Sequence, residues 1–341
     1  MSSLISTPSA LPLGPETKKP AKATAATTGA APFNKPGDSA NLVDFWRNPD
    51  AGNIYKHAEH LTGPVTPCLV DYAGVCGAVT RAAASSNPNP VRVMDMCCGT
   101  GVVSSYIQKM LRQTGEKERE KTELVSADSS EAQLGVVREK IAREGWTGTS
   151  VEQCDVMNQK FPSDIFDVVI CAMAMMLVAD PYKAMAECYR VTKPGGTFAT
   201  STWVIEGWVP DTRDAVASLA LPGQQPVCWP QNSAELTNLW GPGCWESPTF
   251  VRSMFTAAGF VEVEVEVVTK WIPFATVDEW CTVFQAFMHG VLERFWTREQ
   301  KEGLKGKLMP TLRAFLENKY QGGPFSVERT VLLARGRKPE F

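Results

Sequence analysis

Between residues 91 and 203, short apolar runs alternate with helix-patterned segments, and this alternation constrains the fold more than any other feature of the chain. VRVMDM (91–96) leads into VVSSYIQKMLRQ, and TELVSAD (122–128) leads into SEAQLGVVREKIAREG. TSVEQCD (149–155) then passes through a loop to IFDVVICAMAM (165–175). In DPYKAMAECYRV, Asp180 is placed to cap a helix and Pro181 stands at its first position; GTFATSTW (196–203) is the next strand. A helix between successive apolar strands implies a crossover each time. The strands therefore run parallel, and helices cover both faces of the sheet.

Outside this block the texture differs. Residues 1–38 are rich in Ser, Thr, Ala, Pro and Lys and hold few large apolar side chains. Such a segment cannot bury enough surface to offset its ordering entropy, so it is expected to be a flexible arm. Residues 39–341 are expected to form a single domain. Its N-terminal part has a helical pattern in two pieces, interrupted by Gly63–Pro64 and Pro67. Residues 204–248, rich in Trp, Pro and Gly, show little periodicity and predict an irregular cap. PTFVRSMFTAAGF predicts a helix closed by Gly259, and VEVEVEVVTKWIPF a strand. Apolar residues from Trp280 to Phe295 recur at helical spacing. Thr297 and Gln300 have capping-box spacing for a further helix, which Pro310 is expected to kink or split. SVERTVLLARG (326–336) is the last strand. The cap is assigned to residues 40–80, 204–248 and 277–320.

Charge and composition exclude several classes. A formal net charge of −3 with no concentrated basic patch argues against a nucleic-acid binder. No apolar run approaches the ~20 residues that span a bilayer. No secretory signal is visible, and the 10 cysteines lack a repeated CxxC spacing. They predict reduced thiols in a cytoplasmic protein and no metal site.

The chemistry is written where the strands end. In MDMCCGTG, Asp95 closes the first strand, and Gly99 and Gly101 let the backbone approach a ligand at a helix N-terminus. As a dinucleotide fingerprint the stretch fails, because Ser104 stands where glycine or alanine is needed. It resembles motif I of the class I S-adenosylmethionine-dependent methyltransferases instead, with Cys97 at the first glycine position. A cysteine is tolerated there provided its φ stays negative. Cys-Cys-Gly also resembles the loop of ubiquinone/menaquinone-type methyltransferases.

The resemblance extends from about residue 40 to 275 and takes in the last strand. It implies a Rossmann-like α/β fold with a seven-stranded sheet of order 3-2-1-4-5-7-6, the last strand antiparallel. It also implies S-adenosyl-L-methionine as cofactor and S-adenosyl-L-homocysteine as product. Asp95 would favour the ligand's ammonium group, with Cys97, Gly99, Thr100 and Gly101 forming the turn. Asp128, followed by Ser129, would accept from both ribose hydroxyls, which suits a carboxylate with two acceptor oxygens. Asp155 and Val156 would face the adenine, and Cys171 and Tyr55 would border the cofactor.

Many relatives of this kind carry a histidine just after the fourth strand, where Met175 and Met176 stand here. A general base, if one is used, would come from His57, His60 or His289, the only histidines present. A flat or apolar small-molecule substrate is expected to meet Met173, Met175, Met176, Trp203, Trp229, Trp245, Phe284 and Met288. The leading expectation is methyl transfer to oxygen in a natural-product (secondary-metabolite) pathway. The alternatives are N-methylation, C-methylation of a quinone precursor, a protein that keeps the cofactor as a scaffold, and, most distantly, an NAD-dependent oxidoreductase. No nucleic-acid or membrane partner is expected, and the oligomeric state is open.

Overall fold

A computed structural model describes residues 57, 59–238 and 241–340. The arm 1–38, Tyr55 and Trp240 lie outside the described residues. Among the described residues the leading helices are α1 (Glu59–Thr62), α2 (Thr66–Tyr72) and α3 (Val75–Ala84). Pro67 does not interrupt this region. It stands in the first turn of α2, where a missing N–H costs nothing.

The alternating block follows as β1 (Val91–Met96), α4 (Val102–Gln113), α5 (Glu116–Glu120), β2 (Thr122–Asp128), α6 (Glu131–Glu144) and β3 (Thr149–Gln153). β4 (Phe166–Ala172), a 3-10 turn (Met175–Leu177), α7 (Pro181–Val191) and β5 (Thr192–Glu206) complete it. Caps set the helix starts. The Asp180 carboxylate accepts from Lys183 N at 3.0 Å, and the Ser130 hydroxyl accepts from Gln133 N.

The seven strands form one sheet of order β3-β2-β1-β4-β5-β7-β6. β1–β2, β1–β4, β2–β3 and β4–β5 pair in parallel, and β7 (Phe325–Arg337) runs antiparallel to both β5 and β6 (Val261–Phe274). The order reverses between β1 and β4. Ligands of open parallel sheets bind at such a crevice, outside the strands' carboxyl ends. Burial on both faces explains the near-continuous apolar writing of the central strands: Val93, Met94, Met96, Val169 and Ile170 are almost fully enclosed. Phe198 of β5 stacks on Phe255 at 5.2 Å and on Phe260 at 5.6 Å, which fastens α10 (Pro248–Ala258) to the sheet.

The cap is more regular than its composition predicts. Residues 204–248 contain α8 (Trp208–Val216) and α9 (Ser233–Asn238). Pro210 falls in the first turn of α8, so it does not break that helix. The Trp208 indole N–H donates to Glu206 Oε2 at 2.8 Å, and the Ser233 hydroxyl accepts from Glu206 N at 2.8 Å. α11 (Val277–Phe295) and α12 (Arg298–Tyr320) sit between β6 and β7 in the chain. The capping box forms, with Gln300 N on Thr297 Oγ1 at 3.2 Å and Thr297 N on Gln300 Oε1 at 2.9 Å. Pro310 does not divide α12. It is exposed, as is Gly306, whose carbonyl loses its helical donor and is left on the solvent side.

Candidate active site

The loop after β1 takes its shape from three left-handed residues: Cys97 (φ 57°), Gly99 (φ 55°) and Gly101 (φ 81°). A Cβ at Gly101 would come within 3.1 Å of Val137 Cγ2, so both conformation and space require glycine there. The expectation that Cys97 keeps a negative φ is corrected. A non-glycine residue here costs roughly 1–2 kcal/mol, and the surrounding contacts must hold it in place.

Those contacts come from the acid of the next strand. Asp128 Oδ2 accepts from Gly99 N at 2.9 Å, and its Oδ1 accepts from Ser130 N at 2.8 Å. One carboxylate thus ties the β1 loop to the start of α6. Asp95, at the end of β1, is buried. Its Oδ2 accepts from Ser104 N at 2.9 Å and from Ser104 Oγ at 2.6 Å, and Ser104 Oγ meets Ser126 Oγ at 2.7 Å. Among the described residues, Asp95 Oδ1 has no partner, nor does the buried hydroxyl of Thr100. Burial raises the Asp95 carboxyl to about 7, helped by the neighbouring Asp128 and opposed by the Ser104 hydrogen bonds. At the end of β3, Asp155 Oδ1 accepts from Met157 N at 2.9 Å.

These groups border one open cavity. Asp95, Cys97, Gly99, Thr100, Asp128, Ser129, Asp155 and Val156 all line it. Its other end lies over the carboxyl end of β4 and consists of Ala172, Met173, Ala174, Leu177, Val178 and Ala179. Met173 is also left-handed (φ 53°), held there by its N–H on Ser201 O at 3.0 Å. Four strand ends therefore contribute to one polar-to-apolar trough. Strain concentrated at such a place is expected of a functional site.

The signature of the methyltransferase domain family matches residues 89–246, a span that takes in every one of these strand ends. The methyltransferase tpcH of Aspergillus fumigatus is 30% identical over 259 residues, covering 75% of this chain and 88% of its own. The chain belongs to the class I S-adenosylmethionine-dependent methyltransferases. The acetylaranotin bis-thiomethyltransferase of Aspergillus terreus is 29% identical over 301 residues, 87% of this chain and 98% of that one. The methyltransferase ktnA of Aspergillus niger is 28% identical over 312 residues, 86% of this chain and 96% of its own.

In this methyltransferase the remaining residues singled out from the sequence fall elsewhere. Gly101 turns the chain into α4 without lining the cavity, and Cys171 is fully buried beneath it. None of the three histidines lines the cavity. His57 is exposed. His60 Nε2 is 2.7 Å from Pro273 O, with its ring 4.9 Å from that of Phe274, so it fastens α1 to the end of β6. His289 lies on the outside of α11, 4.0 Å from Glu293, and desolvation followed by the Lys305 charge lowers its pKa. The helical spacing that brought the histidines into consideration says nothing of which face they occupy.

Of the expected substrate contacts, only Met173 lines the cavity. Met175 and Met176 are fully buried in the core, as are Trp245 and Phe284. Trp245 Nε1 donates to Pro242 O at 3.0 Å, and its ring packs edge-on against Phe250. Trp229 Nε1 donates to Thr212 Oγ1 at 2.8 Å. Phe284 sits 4.7 Å from the Trp280 ring and 5.3 Å from the Trp208 ring, and Trp203 and Met288 are likewise core. These side chains pack the cap onto the sheet.

Sequence reasoning missed Thr62, Cys98, Gln133, Cys154 and Met157, which do line the cavity. Gln133 is the clearest of these: it is buried in the first turn of α6 with Oε1 unpartnered. Its position one turn into the helix that follows Asp128 was the available signal.

Proposed function

We propose that the trough holds S-adenosylmethionine along the ends of β1, β2 and β3, and that the acceptor is a thiol of an apolar small molecule placed at the β4 end. The residues fit the cofactor on an observation internal to the site. Asp95 Oδ1 and Thr100 Oγ1 are buried, unpartnered and border the cavity, a costly arrangement that a ligand's ammonium group and polar atoms would relieve. Asp128 lines the same cavity with a carboxylate, whose two acceptor oxygens suit a pair of ribose hydroxyls, and Val156 offers an apolar face beside Asp155 for a base. When bound, the cofactor supplies a methyl group on a sulfonium, open to in-line displacement.

The acceptor assignment rests on one observation. Among the described residues, the β4 end of the trough carries no side chain that can take a proton: it is Ala172, Met173, Ala174, Leu177, Val178 and Ala179. Those residues can exclude water and orient an apolar acceptor, but they cannot activate one. A thiol ionises near pH 8.5 and presents a usable thiolate fraction at neutral pH, whereas a phenol near pH 10 does not. The bis-thiomethyltransferase among the relatives is consistent with sulfur. The oxygen acceptor expected from the sequence is therefore set second. The same reading takes residues 39–341 as one methyltransferase domain and residues 1–38 as an arm outside it, acting in secondary metabolism.

Matched aryl thiols and phenols, each offered with S-adenosylmethionine, test this. Thiols are expected to be methylated at least a hundredfold faster at neutral pH. Phenols methylated at comparable rates would overturn the sulfur assignment.

A further inference from the structure

β6 is an outer strand of the sheet, and one of its edges faces away from β7. From Glu264↔Arg335 to Phe274↔Phe325 the β6–β7 pairing is antiparallel and unbroken. Pro273 has no N–H, so it sits in this ladder with its backbone turned away from β7. Its carbonyl accordingly meets His60 Nε2 at 2.7 Å. Backbone direction alternates along a strand, so Val265, Val267, Thr269 and Trp271 turn their N–H and C=O groups to the same outer side. Near the other end of β6, the Val263 carbonyl accepts from Arg252 of α10. His60 and Arg252 thus close the edge at its two ends. Between them, the outward backbone groups from Val265 to Trp271 have no partner among the described residues. The midpoint of that open stretch is Val268. Val267 and Trp271, on one face of it, are 59% and 64% exposed. On the other face Glu262 and Glu264 are bonded to Arg337 and Arg335, whereas Glu266 and Lys270 form no ion pair among the described residues. Glu266 and Lys270 stand at equal distances on either side of Val268.

We propose that β6 pairs with β6 of a second copy of this chain, antiparallel about a two-fold axis at Val268, so that one sheet runs through both molecules. In that register Val265 lies opposite Trp271 of the second copy, and Val267 lies opposite its Thr269. These are the outward-turned residues, so each pair exchanges both backbone hydrogen bonds. Glu266 lies opposite Lys270 of the second copy, and the symmetry supplies the reciprocal ion pair. Those are non-hydrogen-bonded positions, where facing side chains approach most closely. Trp271 gains a β-branched neighbour, a favourable cross-strand pair. Two independent features fix this register: the closed ends of the edge and the pattern of charge. An axis at Glu266 or Lys270 would set like charges opposite each other. An axis at Val267 or Thr269 would run the ladder into Val263 or Pro273, whose carbonyls are already taken. A two-fold contact of this kind is closed, so it covers the free β6 edge of both copies and stops at two. No residue of β6 lines the cavity, so the dimer does not depend on which atom the enzyme methylates.

Sedimentation velocity of the full-length protein over a range of concentrations provides the test, with charge reversal on the edge. Wild type is expected to dimerise. Glu266→Lys and Lys270→Glu each turn both ion pairs into like-charge pairs, so each should weaken the dimer by about tenfold or more. The double variant, Glu266→Lys with Lys270→Glu, restores opposite charges and should return the dimer to near wild-type strength. Because it carries both substitutions, that recovery also shows that neither one acts by unfolding the chain. Val268→Cys sets a thiol on the axis, where the Cα atoms of a non-hydrogen-bonded pair are about 4.5 Å apart, within the span of a disulfide. Mild oxidation should then give a covalent dimer whose crosslink maps to position 268. Wild type, with exposed Cys76, Cys228 and Cys244, is oxidised alongside as the control. A monomer at every concentration would overturn the proposal. So would a dimer indifferent to either single charge reversal, or the absence of a crosslink at position 268.

Discussion

Protons should compete with the cofactor at Asp95. Its carboxyl stands at about 7, so it is half protonated at neutral pH in the free protein. A ligand ammonium against the unpartnered Oδ1 requires the ionised form, and binding must therefore expel whatever proton is present. The apparent dissociation constant scales as one plus the ratio of protonated to ionised Asp95. It should rise about tenfold from pH 8 to pH 6, with about half a proton released per ligand at pH 7. Calorimetric titration with adenosylhomocysteine in buffers of different ionisation enthalpy reads both quantities at once. Asp95→Asn keeps the shape and the acceptor for Ser104 but turns an amide N–H₂ toward the ligand's ammonium. Losing the charge-assisted bond should cost roughly 2 kcal/mol, about thirtyfold in affinity, and the pH dependence should flatten. Wild-type affinity constant from pH 6 to 8 with no proton released would refute the ammonium assignment.

Other outcomes follow from the same geometry. The ligand-free protein should lose stability as pH rises from about 4 to 7, since over that window folded Asp95, raised from 3.8 to about 7, holds a proton that the unfolded chain has released. The full effect is on the order of 4 kcal/mol, is absent in Asp95→Asn, and can be followed by urea unfolding at fixed pH values. Asp128→Ala removes the acceptor of Gly99 N and, on the proposed reading, the acceptor of the ribose hydroxyls, so adenosylhomocysteine titration should show at least a hundredfold loss; an unchanged affinity would remove Asp128 from the site. Trp245→Ala should destabilise the fold by about 3–5 kcal/mol in denaturant melts while leaving adenosylhomocysteine affinity unchanged, because Trp245 packs the cap and does not reach the trough. Glu206→Ala leaves the buried Arg329 guanidinium, 3.0 Å from that carboxylate, without its charge partner, at a cost of about 3–5 kcal/mol visible as a lowered Tm.

The order of the sheet and the acids at its strand ends were legible in the sequence for one reason. A parallel strand buried on both faces is written as a continuous apolar run, so the acid that closes it stands out, as Asp95 closes VRVMDM and Asp128 closes TELVSAD. The sign of φ at Cys97 was not legible, because it depends on Gly99 being held by a carboxylate 29 positions later. Prolines were misjudged where position within the element decides their effect: Pro67 sits in a first turn and Pro310 on an exposed face. The tryptophans misled for a related reason. An aromatic-rich segment announces burial but not what it is buried against, and Trp229 and Trp245 satisfy their indole N–H groups within the cap itself. The histidines taught the same lesson from the other side, since helical spacing placed His60 on α1 but could not reveal that it bonds Pro273 O.

The most direct test of the account is methyl transfer itself. The purified protein would be incubated with methyl-deuterated S-adenosylmethionine and a mixed panel of apolar thiols, phenols and amines, and the products read by mass spectrometry. The account predicts a deuteromethyl group on sulfur, formed together with adenosylhomocysteine. A label found on oxygen or nitrogen, or no labelled product from any acceptor despite measured cofactor binding, would contradict it.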